Sequence, residues 1–184
     1  SSMNVGQASS ILWMDAAETY FLLAEAKLRL NLGDKTVKEY YEEGVKTSFS
    51  SKGASGAESY LDNDVNVPST SFIDPTNGRN TDVSRMVSTL TVKWDESASP
   101  DKKLERIMVQ KWIALFPDGQ EAWSEMRRTG YPGIVTINTN ASGGEVATGE
   151  LISRLNNGEN TQAAVSLLKG TDIAGTRLWW DVKR

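Results

Sequence analysis

Residues 104–132, LERIMVQKWIALFPDGQEAWSEMRRTGYP, carry the clearest structural pattern in this sequence. Apolar side chains recur at intervals of three and four over 104–115, which is typical of an amphipathic helix, and the Pro-Asp pair at 100–101 marks its start. The Pro-Asp-Gly at 117–119 predicts a type I turn. A second helix is predicted over 120–128, since Gly and Pro follow it.

Upstream of this stretch, residues 11–31 form a second strong helical pattern. The apolar side chains cover nearly half of the helix circumference, and a narrow polar stripe lies opposite them. Ser9 and Ser10 offer capping oxygens at its start, and Gly33 is a stop signal after its end. So wide an apolar face predicts neighbours on more than one side of this helix.

A further helix is predicted over 35–50, which makes residues 11–50 a helical hairpin. Gly44 lies in the middle of this 35–50 helix and costs about 1 kcal/mol relative to Ala. We therefore expect a close approach of the two helices at Gly44. A hairpin of this length resembles one unit of a helical repeat, and a lone unit cannot bury both of its faces. We expect partner segments to lie outside this sequence.

Residues 51–100 have a different character, because Ser, Asn, Gly, Asp and Thr dominate and the apolar periodicity is weak. Helical pattern returns in 101–184, with a last helix predicted over about 161–169. The expected fold class is all-α, that is, mainly helical with long ordered loops. The expected organisation is an 11–50 helical hairpin, a 51–100 loop-rich insertion and a 101–184 helical part.

The composition excludes several classes of chemistry. The 184 residues contain no His and no Cys, which excludes Ser-His-Asp and Cys-His machinery, disulfides and thiolate or His-ligated zinc. Twenty basic and 24 acidic residues give a net charge of −4, so the chain lacks the basic surface that nucleic-acid binding requires. No cofactor is expected.

Carboxylates are the remaining candidates for chemistry. The helical pairs are Glu18 with Glu25, Glu42 with Glu43, and Glu121 with Glu125. Nothing in their spacing distinguishes an acid from a base, so solvated charge is the default interpretation and an all-α glycosidase is a minor alternative.

The segment 62–66, DNDVN, begins like a calcium-binding loop. Val67 and Ile73 stand where such a loop has Gly and Glu, so the EF-hand interpretation fails. A looser oxygen-ligated site and an ordinary turn both remain open, and the turn is favoured.

The aromatic residues fall into two groups. Trp13, Trp112 and Trp123 occur at helical spacing beside other apolar residues, which predicts that they pack in the core. Three other rings lie in the polar loop region, where exposed aromatics suit stacking against a sugar ring. These candidate ligand-binding residues are Trp94, Tyr60 and Phe72. The alternative is that they pin the loop to the helices.

Three motifs follow one another along the chain: ETYFLLAEA at 18–26, the 104–132 stretch, and RLWWD at 177–181. In this order they resemble the SusD/RagB family. The agreement within the central stretch runs through Glu105, Ile107, the run from Gln110 to Phe116, Gly119, the run from Glu121 to Trp123, and the run from Arg127 to Pro132.

The resemblance implies a binding protein and not an enzyme. Family members have a TPR-like helical scaffold, are lipid-anchored at the outer membrane surface of Bacteroidetes, and are considerably longer than this sequence. They capture oligosaccharides, or in some cases peptides, and deliver them to a SusC-like TonB-dependent transporter. Residues 1–184 would then be the C-terminal portion of a single SusD-like domain, with the N-terminal half of the same chain as a partner.

Some expectations stay open after the resemblance. The only membrane contact it implies is an upstream lipid anchor. The ligand contacts of the family come from loops that vary with the ligand, so no binding residue transfers by motif. An alternative function is a helical interaction module that docks on the transporter, with the ligand pocket in the N-terminal half.

Overall fold

The computed structural model describes part of the chain. The residues described are 6, 8, 12–68, 88–133, 142–147, 152–154 and 174–178, together with the backbone of two short strands at 71–73 and 80–82. Within these residues the fold is predominantly helical, which confirms the predicted class. The predicted helix at 161–169, a β-prone run at 134–137, and Trp179 and Trp180 lie outside the described residues.

The chain divides into two compact units. One unit comprises Ser1–Asn66 with Leu90–Ala122, and the other comprises Val67–Thr89 with Trp123–Arg184. The part of the chain that the structure describes contains no helix that is long and apolar enough to span a bilayer.

Helix α1 (Ala16–Leu30) begins five residues later than the sequence pattern suggested. Its cap is Asp15, whose Oδ1 accepts a hydrogen bond from the Ala17 amide at 3.0 Å, and not Ser9 or Ser10. A buried carboxylate at this position satisfies a free amide and also complements the positive end of the helix dipole. Asn31 ends the helix in the left-handed conformation, so Gly33 is not the cap.

Helix α2 (Val37–Ser51) packs antiparallel to α1 and starts with a capping box between Thr36 and Glu39. Its end lies beside the start of α1, where Ser51 Oγ donates to Asp15 Oδ2 at 2.7 Å. A Cβ atom placed on Gly44 would lie 2.7 Å from Phe21 Cε1, so the predicted close approach at this glycine is confirmed.

Beyond α2 lie one short helix and one small sheet. Helix α3 (Ala57–Leu61) is a short helix that follows α2 after residues 52–56. Strands β1 (Ser71–Ile73) and β2 (Asn80–Asp82) pair antiparallel, with Phe72 opposite Thr81. The sequence pattern did not predict these strands, because three residues are too few to show a period of two.

Helix α4 (Pro100–Ala114) starts at the Ser99 cap and completes the core of the first unit against α1 and α2. Ile107 and Met108 are fully buried there. Lys111 is also buried, and its Nζ lies 3.4 Å from Glu18 Oε1 on α1. Glu18 lies near the start of α1 and Lys111 near the end of α4, so this ion pair joins these two helix ends.

Helix α5 (Gly119–Thr129) follows a turn that differs from the predicted one. The turn hydrogen bond joins the Asp118 amide to the Leu115 carbonyl, and the peptide bond before Pro117 is cis. Proline is therefore the third residue of the turn. A type I turn favours proline as its second residue, so the turn differs from the predicted type. The Asp118 carboxylate caps α5 by accepting from the Glu121 amide at 3.1 Å.

Candidate functional site

The first unit carries a shallow cavity of about 100 Å³ on its surface. Helices α2 and α3 form one side, and the segment that leads into α4 forms the other. The lining residues are Lys38, Glu42, Glu58, Leu61, Asp62, Lys93 and Trp94. One of the three predicted ligand-binding rings, Trp94, thus borders the cavity.

Trp94 is not the exposed ring that the sequence suggested, since only 9% of it is accessible. Its ring packs against Tyr41 with centroids 5.2 Å apart, and the Lys103 ammonium lies 5.9 Å from its centroid. Its Nε1 donates to Glu96 Oε2 at 2.5 Å, and this hydrogen bond holds the pKa of Glu96 below its usual range. With neighbours on the ring and the indole N–H bonded, Trp94 offers the cavity only a small part of its surface.

The backbone before Trp94 is fixed by three contacts from different elements. Tyr41 donates its hydroxyl to the Val92 carbonyl at 2.6 Å, and Arg106 Nε donates to the Thr91 carbonyl at 3.0 Å. The Lys93 amide donates to the Asn63 carbonyl at 3.0 Å. Burial raises the pKa of Tyr41 far above its usual value, so its hydroxyl remains a donor at any physiological pH. The cavity wall at Trp94 is therefore pre-organised.

The rim of the cavity carries paired opposite charges. Lys38 lies 3.7 Å from Glu42, and Lys93 lies 3.6 Å from Asp64. Glu58 pairs with Lys46 at 3.0 Å, and this interaction raises the pKa of Lys46. Exposed pairs of this kind contribute about 0–1 kcal/mol each, so a ligand can displace them at little cost. The rim offers hydrogen-bond donors and acceptors with little net charge, which suits a neutral polyhydroxylated ligand.

The other two predicted rings are placed differently. The Tyr60 ring packs against Phe49 with centroids 5.2 Å apart, and its hydroxyl donates to Gln110 Oε1 at 3.1 Å. Tyr60 is not among the cavity-lining residues, although its neighbours Leu61 and Asp62 are. Phe72 lies in β1, and its side chain is outside the described residues. Ligand binding by these three rings stays a prediction.

The charged lining residues were not identified from the sequence. Lys38 and Glu42 are four residues apart on α2, a spacing that signals only an exposed ion pair. Lys93 and Glu58 come from segments that are distant in sequence. No local pattern indicates that such residues share one cavity. Of the lining residues, only Trp94 could therefore be identified from the sequence.

The 62–66 segment forms a turn around Asn63, which is the favoured interpretation. Asn63 Oδ1 accepts hydrogen bonds from the Val65 amide at 3.1 Å and the Asn66 amide at 2.8 Å. Asp64 is paired with Lys93. Within the described residues no group of three or more possible ligands lies close enough to hold a metal ion.

Most of the candidate catalytic carboxylates are engaged in ion pairs. Glu18 pairs with Lys111 and Glu42 pairs with Lys38, as described above. Glu25 pairs with Arg29 at 2.9 Å, and Glu125 pairs with Arg128 at 2.7 Å. Hydrogen bonds also lower the pKa of several other carboxyl groups, whereas a general acid requires a raised pKa. These carboxyl groups are Asp34, Glu39, Asp95 and Glu96.

The predicted core positions of two tryptophans are wrong. Trp13 precedes α1 and is 91% exposed, and Trp112 on α4 is 37% exposed. Helical spacing identified their apolar neighbours correctly but could not show what covers them. Trp123 is half-buried, with the Arg127 guanidinium 4.3 Å from its ring centroid and its Nε1 bonded to the Ile152 carbonyl at 3.1 Å.

A family model described as SusD-like, the SusD and RagB outer membrane lipoproteins, matches residues 1–181. The chain belongs to this family. A chitin-binding SusD homologue from Flavobacterium johnsoniae shares 42% identity with it, superposes with a TM-score of 0.83, and is matched over 95% of this chain and 37% of its own. A comparison with curated proteins gives no match.

Other solved SusD homologues give the same result. One from Bacteroides uniformis shares 37% identity with a TM-score of 0.85 over 98% of this chain and 39% of its own. One from Bacteroides thetaiotaomicron shares 38% identity with a TM-score of 0.83 over 98% of this chain and 40% of its own. The chain thus spans two fifths or less of the length of these SusD-like relatives, and the predicted family and helical fold are both confirmed.

Proposed function

We propose that this SusD-like chain belongs to a protein that binds an oligosaccharide, or another nutrient polymer, without chemical change. The observation that carries the proposal is the family match over residues 1–181, together with 42% identity to a homologue that binds chitin. Family membership at this identity supports a shared class of ligand, while the particular glycan is left to experiment.

The cavity beside Trp94 supports this proposal chemically. Sugar sites combine an apolar wall with polar groups that hydrogen-bond to hydroxyls. Here the wall is Trp94 with Leu61, and the polar groups are the ammonium groups of Lys38 and Lys93 with the nearby carboxylates. Tyr60, which is part of α3, joins that helix to α4 through its hydrogen bond to Gln110, and Phe72 is retained as a candidate contact from β1.

Binding without turnover is supported by the state of the carboxylates. An all-α glycosidase would need two carboxyl groups facing one cleft, one of them with a raised pKa. The helical candidates Glu18, Glu25 and Glu125 each pair with a cation on their own or a neighbouring helix. These contacts give the carboxylates structural roles.

The wider assignment follows from the family. In the proposed full-length protein, residues 1–184 form the C-terminal portion of a single SusD-like domain that is lipid-anchored at the outer membrane surface. The protein delivers its ligand to a SusC-like TonB-dependent transporter. The family description as outer membrane lipoproteins supports this location.

A second candidate is an interaction module whose ligand pocket lies in the rest of the protein. The observation that favours it is the packing of the predicted rings: Trp94 is nearly buried and Tyr60 is bonded to Gln110. Under this candidate Trp94 only holds the 90–95 segment against the helices, and Tyr60 only joins α3 to α4.

Isothermal titration of the full-length protein with oligosaccharides, including chito-oligosaccharides, separates the two candidates. Lys93→Gln and Trp94→Phe should each weaken binding about tenfold, which corresponds to about 1.4 kcal/mol. Lys35→Gln is the matched control, because Lys35 pairs with Glu43 near the start of α2 but does not line the cavity. Wild-type affinity in both cavity variants would exclude this cavity as the ligand site and favour the second candidate.

A further inference from the structure

The charges that line the cavity beside Trp94 do not cancel. Two lysines and three carboxylates line it, so at neutral pH the lining carries one excess negative charge. The groups that pair with lining residues from outside the cavity, Lys46 and Asp64, offset one another. Lys103, which lies near the Trp94 ring, is likewise offset by Glu96 at 3.2 Å. The cavity is therefore slightly acidic.

The excess charge belongs to Asp62. In the part of the chain that the structure describes, its carboxylate makes no hydrogen bond or ion pair, and the residue is exposed. Every other charged lining residue has a partner. The pairs are Lys38 with Glu42, Lys93 with Asp64, and Glu58 with Lys46. Asp62 is thus the charged group of the lining that a ligand can contact without breaking an ion pair.

Asp62 also stands next to the apolar wall of the cavity. It follows Leu61, which is buried at the end of α3 and lines the same cavity as Trp94. A ligand that covers this wall displaces water, and charge interactions strengthen where water is excluded. A cationic group of the ligand is attracted to Asp62 there, whereas an anionic group would have to compete with Glu42 for Lys38 or with Asp64 for Lys93.

We propose that Asp62 is a specificity-determining residue of this cavity and that it selects amino sugars, with the protonated amine of a deacetylated glycan unit beside its carboxylate. This inference rests on the proposed function, because it requires the cavity to bind an oligosaccharide. The hydroxyl groups of such a ligand contact the polar rim at Lys38 and Lys93, as those of any glycan would. An N-acetylated unit offers Asp62 no charge, and a uronic acid unit adds a second carboxylate beside it.

Isothermal titration of the full-length protein at pH 6 tests this selection, because glucosamine amines are protonated at that pH. The ligands are glucosamine and N-acetylglucosamine oligomers of equal length and linkage. The wild type should bind the glucosamine oligomer about threefold more tightly, as expected for one exposed ion pair. Asp62→Asn should remove this preference by weakening binding of the glucosamine oligomer alone.

Glu43→Gln is the matched control for the change in charge. Glu43 pairs with Lys35 on the same unit but does not line the cavity, so this variant should keep the wild-type preference. Raising the salt concentration from 50 to 500 mM should reduce the preference of the wild type, because ions screen an exposed pair. Equal affinities of the wild type for the two oligomers, or an unchanged preference in Asp62→Asn, would overturn the proposal.

Other ligand classes give different outcomes. A galacturonate oligomer that binds as tightly as the glucosamine oligomer would assign the cavity to anionic glycans, and a lysine tripeptide that binds through Asp62 when glucosamine oligomers do not would assign it to basic peptides. Either result overturns the proposal. If Lys93→Gln and Trp94→Phe weaken binding but Asp62→Asn does not, this inference alone fails. Absence of binding to every oligosaccharide refutes the proposed function itself.

Discussion

Single residues set the geometry of the first unit, and Gly44 is the clearest example. Its lack of a side chain lets α2 approach Phe21 of α1 closely. Glycine in a helix interior costs about 1 kcal/mol relative to Ala, so its presence here must be compensated by packing.

Gly44→Ala should therefore destabilise the protein despite the better helix propensity of Ala. The added methyl would meet the Phe21 ring at 2.7 Å, and overpacking of this kind costs about 1–3 kcal/mol. Urea unfolding measures the change in free energy, and adding Phe21→Leu should recover part of it. A stabilised Gly44→Ala protein would contradict the close contact of the helices.

Lys111 is the second single residue on which the packing of the first unit strongly depends. Only 1% of its side chain is accessible, and its Nζ lies beside Glu18. Lys111→Met should cost about 3 kcal/mol or more, because it leaves the Glu18 carboxylate largely buried without its cation.

The double variant Lys111→Met with Glu18→Gln supplies the control for this pair. It removes both charges and should recover most of the lost stability. Chemical denaturation of the two single variants and the double variant gives the coupling energy. Additive losses would show that the pair does not act as a unit.

At the scale of elements, the start of α1 depends on the Asp15 cap. Burial acts to raise the pKa of Asp15, but hydrogen bonds from the Ala17 amide and Ser51 and the Lys52 ammonium outweigh it and hold the pKa below its usual range. The ionised form is therefore the one that stabilises the fold.

Asp15→Ala should cost about 1 kcal/mol at neutral pH through loss of the cap. In the wild type, the part of this stability due to ionisation is fully present above the ordinary Asp pKa near 4 and is lost as the pH falls through the lower folded-state pKa. Asp15→Asn keeps a capping oxygen and should flatten this part of the pH profile. Unfolding free energies measured between pH 7 and pH 2 test both statements, and identical slopes for wild type and Asp15→Asn would contradict them.

The four longer described helices could be predicted closely, because periodicity and caps are local signals, whereas α3 falls inside the predicted loop region and was missed. The pattern at 35–50 became α2 at Val37–Ser51, and the pattern at 120–128 became α5 at Gly119–Thr129. The start of α1 was placed too early because residues 12–14 continue the apolar pattern although they lie outside the helix. What covers an apolar face is not a local property, so the exposure of Trp13 could not be predicted.

The candidate site was less predictable for the same physical reason. A ring in a polar loop is a reasonable candidate for a sugar contact, and this identified Trp94. Its burial comes from Tyr41, more than 50 residues earlier, and from Lys103 on α4. The charged rim likewise combines α2, α3 and the segment before α4. Such combinations arise only from tertiary packing.

At the scale of the whole molecule, the first unit joins a helical core to a surface cavity. The core of α1, α2 and α4 fixes the 90–95 segment, and that segment places Trp94 at the cavity. Under the proposed function, this cavity supplies part of the ligand-binding surface.

The most direct test of non-catalytic glycan binding is calorimetric titration of the full-length protein with a panel of oligosaccharides, followed by chromatography of the recovered sugar. We predict saturable binding of at least one oligosaccharide class, with every ligand recovered intact after prolonged incubation. Absence of saturable binding across the panel, or appearance of shorter products, would contradict the account.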